Sequence, residues 1–416
     1  MSDGIWRDRN FLFFWLAQTV SDLGSAVTEL ALPLAALLVL HVSAIEVGLL
    51  RAAEVIPYVL LALAAGVLVD RSHPAKLLIG ADLGRALILG TVPVAFFLGH
   101  LTMLQLYLAA FTAGSLTVLF GVAQQAAVHG LVERERLIDA NSKIGMSGEA
   151  AQVAGPGLGG VLISAISAPA AVLLDAVSFL FSAVLLSRIR WRPREHATPG
   201  PREPFLRQVR EGLAFILRRP VHRALAISLA ILNFFLPMFW TVALVYFVRG
   251  LNLVPSTIGL VLAAGGIGGV AGAASANVLN RHLGVGRTIA AGAAPFGVLL
   301  IPLAPVSFPV PWLVAGGFLS GFSLVAFNVS QLGLRQAMTP SRLQGRMTAS
   351  MRFLIQVPAP LGPIIGGALG VSIGLRQALW VASVGSLLAV VPLLISPLPT
   401  ISTASSAVAD DALNRI

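Results

Sequence analysis

The stretch "AGPGLGG", Ala154 to Gly160, lies inside an apolar run that extends from about residue 144 to residue 166. In a water-exposed helix interior, glycine costs about 1 kcal/mol and proline about 3 kcal/mol relative to alanine. Four glycines and a proline within seven residues therefore argue against a helix in water. In lipid the argument reverses. Apolar exclusion does not drive helices together there, so small residues that let backbones approach are favoured at contacts. Gly155, Gly159 and Gly160 are spaced to form one small face of a membrane helix. Pro156 predicts a kink, because it removes one ladder hydrogen bond. The pattern implies a bendable helix pressed against a partner across the boundary between two halves of the protein.

The composition extends this reading to the whole chain. Of 416 residues, 56% are hydrophobic and 11% charged, and the mean hydropathy is +0.87. A soluble domain carries roughly 25% charged residues, so there is too little polar surface here for a water-soluble body. Apolar segments recur at 12–40, 46–69, 76–98, 102–128, 144–166, 169–189, 223–248, 256–279, 286–304, 310–334, 346–371 and 375–397. A helix crosses the hydrocarbon core, about 30 Å thick, in about 20 residues. The alternation expected of a β-barrel is absent, which leaves helices. The expected fold is an all-α membrane protein with twelve transmembrane helices.

The net charge of +10 is a matter of topology. Basic residues cluster in alternate connections, at Arg7 and Arg9, Arg71 and Lys76, Arg134 to Lys143, Arg188 to Arg223, Arg281 and Arg287, and Arg335 to Arg346. By the positive-inside rule these loops and both termini are cytoplasmic. That places the chain as a multi-pass protein of a bacterial inner membrane, with the lipid bilayer as partner and no role in binding nucleic acid. With no cysteine, disulfides and thiolate chemistry are excluded. The first apolar run contains Asp22 and Glu29 and no clear cleavage site, so it is expected to be a retained span.

Residues 191–222 form the longest polar stretch. They divide the chain into a six-helix half at 1–190 and a second at 223–399, and residues 400–416 read as a disordered cytoplasmic tail. Within the linker, Phe205, Val209, Leu213, Phe215 and Ile216 alternate with arginines as a basic amphipathic helix suited to the cytoplasmic interface. The halves echo each other. Aligning Gln125 with Gln331 puts Gly155-Pro156 on Gly362-Pro363 after one insertion, and "GVLVDRSHPAK" (Gly66 to Lys76) pairs with "ANVLNRHLGVGR" (Ala276 to Arg287). Two parallel pseudo-symmetric halves around a central site are a secondary-transporter plan.

These stretches carry a resemblance. "AQVAGPGLGG", Ala151 to Gly160, resembles the fifth-helix antiporter motif of the major facilitator superfamily, with Ala151 where the pattern has glycine. "GVLVDRSHPAK" resembles that superfamily's loop motif between helices two and three; Gly66, Asp70, Arg71 and Lys76 match, and His73-Pro74 replace the usual glycine region. "EGLAFILRRPVHRAL" and "LRQAMTPSRLQGRMTAS" look like the branch that contains the enterobactin exporter and the macrolide efflux proteins. The resemblance implies the major facilitator fold, rigid-body alternating access, and export of a drug, natural product or siderophore. In one respect the chain departs from the family. Drug–proton antiporters of this type usually carry an arginine within helix four, whereas only His100 and His129 are basic between Arg85 and Arg134.

Ionisable groups at membrane depth are costly and read as functional. Asp22, Glu29, Arg51 and Glu54 are the candidates for proton coupling, with Glu29, Arg51 and Glu54 expected at one depth on adjacent helices. Asp82 and Arg85 read as a structural pair, and Asp175 as a minor pocket residue. The gating set is Gly66, Asp70, Arg71, Lys76, the glycines and prolines at 155, 156, 159, 160, 362 and 363, and Glu149 with Arg352 as a pair between the halves. An apolar pocket would draw on Gln18, Asn233, Phe234, Phe235, Trp240, Asn328, Gln331 and Gln356. Neither a cofactor nor a metal is expected: histidines lack ligand spacing, and there is no phosphate-binding loop.

The function these features imply is a monomeric, proton-coupled exporter of a hydrophobic small-molecule substrate, and not an enzyme. Two alternatives stay open, an importer or facilitator of a small polar solute on the same fold and a non-transporting membrane sensor.

Overall fold

The computed structural model describes residues 5–191 and 205–403. Residues 192–204 of the expected linker and 404–416 of the expected tail lie outside the described residues, as do the side chains of Asp70 and of residues 205–209. Among the described residues there are helices and no strands. The helices are α1 Arg9–Leu38, α2 Ala44–Arg71, α3 Pro74–Phe97, α4 Met103–Leu131, α5 Leu137–Ile166, α6 Ala168–Ser187, α7 Phe205–Arg218 and α8 Pro220–Val245. They continue with α9 Pro255–Leu283, α10 Val285–Gly292, α11 Gly297–Leu303, α12 Val310–Ala337, α13 Ser341–Gln356, α14 Leu361–Ser372, α15 Leu375–Leu387 and α16 Val390–Leu394.

Local chemistry sets the ends. Asp8 caps α1 by accepting from the Asn10 N–H at 2.9 Å. Ser43 and Glu46 form a capping box at α2, in which the Ser43 N–H donates to Glu46 Oε2 at 2.7 Å. His73 caps α3 by accepting from the Ala75 N–H at 3.3 Å, with Pro74 in the first turn. This gives His73-Pro74, the departure from the family's loop motif, a structural reason.

Among the described residues, ten helical segments are long and apolar enough to cross a membrane. The two remaining expected spans, α2 and α5, have 28 and 30 residues, ample length for crossing. Three expected spans are interrupted. Residues 286–304 break before Gly297, 346–371 between Gln356 and Leu361, and 375–397 between Leu387 and Val390. Each break lies at or next to a proline (Pro295; Pro358 and Pro360; Pro392) that cannot donate to the carbonyl four residues earlier. By contrast α5 continues as one helix through Pro156.

The described residues form two compact units, one of 5–191 with Leu253–Ala263 and one of 205–252 with 264–403. In the first, α1 packs on α5 and α6, α2 on α4, and α3 on α4 and α6. Its core includes Phe11, Phe14, Leu78, Phe120 and Leu186. In the second, α8 packs on α14 and α15, and α12 on α10 and α11. Thus α8 stands to α14 and α15 as α1 does to α5 and α6. Outward-facing Leu87, Phe97, Leu104, Val270 and Val371 are more than half exposed, as a lipid-facing surface requires.

The glycines divide differently from the expected single face. Gly155 lies against Ala26 and Gly159 against Val27, both on α1 in the same unit. Gly160, rotated about 100° from Gly159, meets Gly259 in the first turns of α9, where a β-carbon would come within 2.8 Å of the Gly259 Cα. The second unit repeats the first contact. Gly362 lies on the Phe234 backbone and Gly366 on Met238, both on α8. Each fifth-position helix therefore uses a glycine pair four residues apart to close on the first helix of its own unit. Gly155, Gly159 and Gly362 thus each have a packing partner within their own unit.

Candidate functional site

The first unit holds three groups of ionisable side chains at membrane depth. On α2, Arg51 reaches Glu54 at 3.1 Å and Glu29 of α1 at 3.7 Å. The α2–α4 contact fixes the backbone here, because Gly114 of α4 packs directly on the Glu54 carbonyl. Glu29, Arg51 and Glu54 are thus one cluster, with two carboxylates on one guanidinium. The Glu29 side chain is 59% exposed and that of Glu54 21%.

One turn apart on α1, Gln18 Nε2 donates to Asp22 Oδ1 at 2.7 Å. The other Asp22 oxygen faces Gly148 of α5. Gln18, expected to line a pocket, is instead buried as the partner of Asp22.

Asp82, Arg85 and Asp175 make the third group, deeper than the other two. Asp82 and Arg85 are an ion pair across one turn of α3. The guanidinium sits over the Phe179 ring of α6 at 4.0 Å and the Phe120 ring of α4 at 4.5 Å. Asp175 lies one turn before Phe179 on α6 and is in electrostatic range of Arg85. The sequence marks all three as charged residues inside spans. It does not reveal that α3 and α6 pack together and bring them into one site.

The loop-motif residues are less enclosed. Arg71 and Lys76 are exposed, and a β-carbon on Gly66 would meet nothing within 4 Å. The Asp70 side chain lies outside the described residues. In the second unit its counterpart Asn280 accepts from the Ser330 hydroxyl of α12 at 3.1 Å. Glu149 on α5 and Arg352 on α13 are each exposed within their own unit.

The pocket candidates of the second unit serve several roles. Asn233 Nδ2 donates to the Leu229 carbonyl of its own helix at 3.0 Å. Phe234 and Phe235 meet edge to face at 4.9 Å, and the Phe235 ring packs on Gly385 of α15. Phe235 is therefore a helix-packing residue, since the absent side chain at 385 leaves room for its ring. Trp240 packs against Phe239 at 5.3 Å. Gln331 is buried with Oε1 making no hydrogen bond, while Asn328 and Gln356 are half-buried. The "GGIGG" run packs α9 on α12, with Gly265 and Gly268 against Gly317 and Phe318. Among the described residues, no cluster of three or more histidines and acids could hold a metal.

A transporter with this helix order has known relatives. The profile of the transmembrane secretion effectors, a family of the major facilitator superfamily, matches residues 5–414. The chain belongs to this family. The chain is 27% identical over 395 residues to the multidrug efflux pump Tap of Mycolicibacterium fortuitum, covering 91% of this chain and 93% of Tap. It is 26% identical over 396 residues to the MFS-type transporter YfiS of Bacillus subtilis, covering 91% of each chain. Its fold matches a bacterial homologue of the iron transporter ferroportin with a TM-score of 0.72 at 18% identity, over 94% of this chain and 99% of that one. The nucleoside transporter NupG matches with a TM-score of 0.71 at 10% identity, over 92% and 98%. The chain is thus a multi-pass membrane protein with the major facilitator fold.

Proposed function

We propose that this protein is a proton-coupled exporter of hydrophobic or amphipathic small molecules, such as drugs, natural products or siderophores, working by alternating access. One observation supports the coupling: among the described residues of α1, α2, α3 and α6, the carboxylates Asp22, Glu29, Glu54, Asp82 and Asp175 outnumber the guanidinium groups of Arg51 and Arg85 that they pack around. Excess carboxylate in a low-dielectric bundle is relieved by taking up protons. The name of Tap, a multidrug efflux pump, supports the outward direction. The departure at helix four agrees with a proton route that does not use an arginine there.

In this reading the two six-helix halves rock about the membrane-midplane cavity, with residues 191–222 as their cytoplasmic connection. Asp70, Arg71, Lys76, Glu149 and Arg352 close the cytoplasmic side, and aromatic and amide side chains of α8, α12 and α13 receive the substrate. The protein works as a monomer in a bacterial inner membrane with both termini cytoplasmic.

Everted membrane vesicles from cells expressing the chain test this. They are energised and given ethidium, tetraphenylphosphonium, a macrolide or a siderophore while a fluorescent dye follows the pH gradient. Collapse of the gradient on addition of one compound supports coupled export. A gradient indifferent to every compound, with folded protein present, counts against it.

A further inference from the structure

We propose that Asp82, Arg85 and Asp175 form a buried proton-binding centre in the first helix unit, in which Asp175 carries the transported proton. The inference rests on the proton-coupled reading above and names the site at which coupling occurs.

The argument is one of charge and enclosure. Asp82, Arg85 and Asp175 are 0%, 4% and 1% exposed, so none is reached by solvent from outside the bundle. Arg85 is lodged between two aromatic rings and directs its terminal nitrogen to Asp82. Two carboxylates then share one cation, and with both ionised the centre holds an uncompensated negative charge. Burying such a charge is far more costly than protonating it. The Glu29–Arg51–Glu54 cluster has the same composition but is more open, with the Glu29 side chain 59% and the Glu54 side chain 21% exposed.

Within the centre, the two acids are unequal. Asp82 has the guanidinium directly. Asp175 has only hydroxyls: the Ser178 Oγ donates to its Oδ1 at 3.0 Å, and Thr28 approaches without hydrogen-bond geometry. Asp175 Oδ2 and Asp82 Oδ2 are both buried and make no hydrogen bond. A proton on Asp175 Oδ2 removes the excess charge and breaks no bond. Arg85 then remains paired with Asp82.

The surroundings supply both access and closure. On α1, Asp22 is half-buried and within electrostatic range of Arg85 and Asp82. Tyr58 of α2 is within range of Arg85, and α4 presents the Phe120 ring to it. Gly24 of α1 lies directly on Asp175 and Ser178, where any side chain would collide with them. Separation of α1 from α6 at Gly24 is the movement that would open Asp175 to water and let the proton leave.

Infrared difference spectroscopy on the purified full-length protein reads a protonated carboxyl directly and needs no substrate. The expected result is a carboxylic C=O stretch that titrates with pH in the wild type, disappears in Asp175→Asn, and persists in Glu29→Gln and Glu54→Gln. Ser178→Ala, which removes one hydroxyl donor while keeping the carboxyl, moves the midpoint of that stretch. It serves if Asp175→Asn fails to fold. A stretch that survives in Asp175→Asn, or is unmoved in Ser178→Ala, overturns the assignment. In everted vesicles, Asp175→Asn is expected to abolish ethidium-driven collapse of the pH gradient, with Asp175→Glu restoring it. If wild-type vesicles show no collapse with any compound while Asp175→Asn loses the infrared stretch, the proton site stands and the exporter reading fails.

Discussion

Gly155 of α5 lies so close to Ala26 of α1 that a β-carbon at position 155 would overlap the Ala26 methyl group. Gly155→Ala should therefore overpack the α1–α5 contact, at a cost of about 1–3 kcal/mol. The apparent melting temperature of the detergent-purified protein is expected to fall, and Ala26→Gly in the same chain to restore it. Equal losses with and without Ala26→Gly would mean that the contact is looser than the structure places it.

Gly66 makes the opposite case. A β-carbon there meets nothing, so Gly66→Ala is expected to leave the melting temperature unchanged or raise it, by up to about 1 kcal/mol from helix propensity alone. The substitution thus separates mechanics from packing. Lost transport in a fully stable Gly66→Ala protein would place Gly66 in the moving parts, and unchanged transport would remove it from the gating set.

The difference between these glycines marks the limit of what the sequence reveals. The twelve apolar segments, the repeat and the loop motif are legible because lipid imposes length, apolarity and charge asymmetry on every span. The Glu29–Arg51–Glu54 cluster is legible too, because it joins consecutive helices of opposite direction through a short turn. Asp82, Arg85 and Asp175 are a different case. Their meeting depends on α3 packing beside α6, a contact between segments some ninety residues apart, and nothing local in "ADLGRAL" or "LLDAVSF" states it. The same holds for Gly155 and Gly160, whose shared small face turns out to serve two different neighbours. Interruptions at Pro295, Pro358 and Pro392 were hidden for the opposite reason: the apolar pattern runs straight through them.

Arg51 distinguishes its two acids by depth. Glu54 is 21% exposed and Glu29 59%. Glu29→Gln should cost no more than about 1 kcal/mol, the range of an exposed pair. Arg51→Gln should cost more, about 1–3 kcal/mol, because it leaves the half-buried Glu54 without its charged partner. Thermal unfolding of the three proteins in one detergent checks the ordering. A Glu29→Gln effect as large as that of Arg51→Gln would contradict the exposures.

Arg85 is the buried counter-charge of Asp82 in the first unit. Arg85→Gln leaves Asp82, fully buried, without its counter-charge, and breaking a buried pair in this way costs about 3–5 kcal/mol. The expected outcome is a large loss of folded yield by size-exclusion chromatography. Adding Asp82→Asn removes the stranded charge and is expected to recover most of it. If the double variant fares no better than Arg85→Gln, the ion pair is not what the fold depends on at this site.

The amphipathic helix α7 is bound to protein rather than left to the membrane surface alone. Ile216 is fully buried with Met347 and Met351 of α13, and Arg346 of α13 pairs with Glu211. At the crossing, Gly212 rests on the Arg346 carbonyl and the Ser350 hydroxyl, with no room for a side chain. Gly212→Leu should push α7 off α13 at a cost of about 1–3 kcal/mol. That raises the undocked population roughly 5- to 150-fold. Trypsin reads this at Arg218, which is exposed in the last turn of α7. Cleavage after Arg218 in the purified protein is expected to accelerate in Gly212→Leu, because a protease needs the local backbone unwound. Glu211→Gln is expected to accelerate it far less, since a half-exposed ion pair is worth at most about 1 kcal/mol. Equal cleavage rates in wild type and Gly212→Leu would show that α7 is held by something other than its glycine contact with α13.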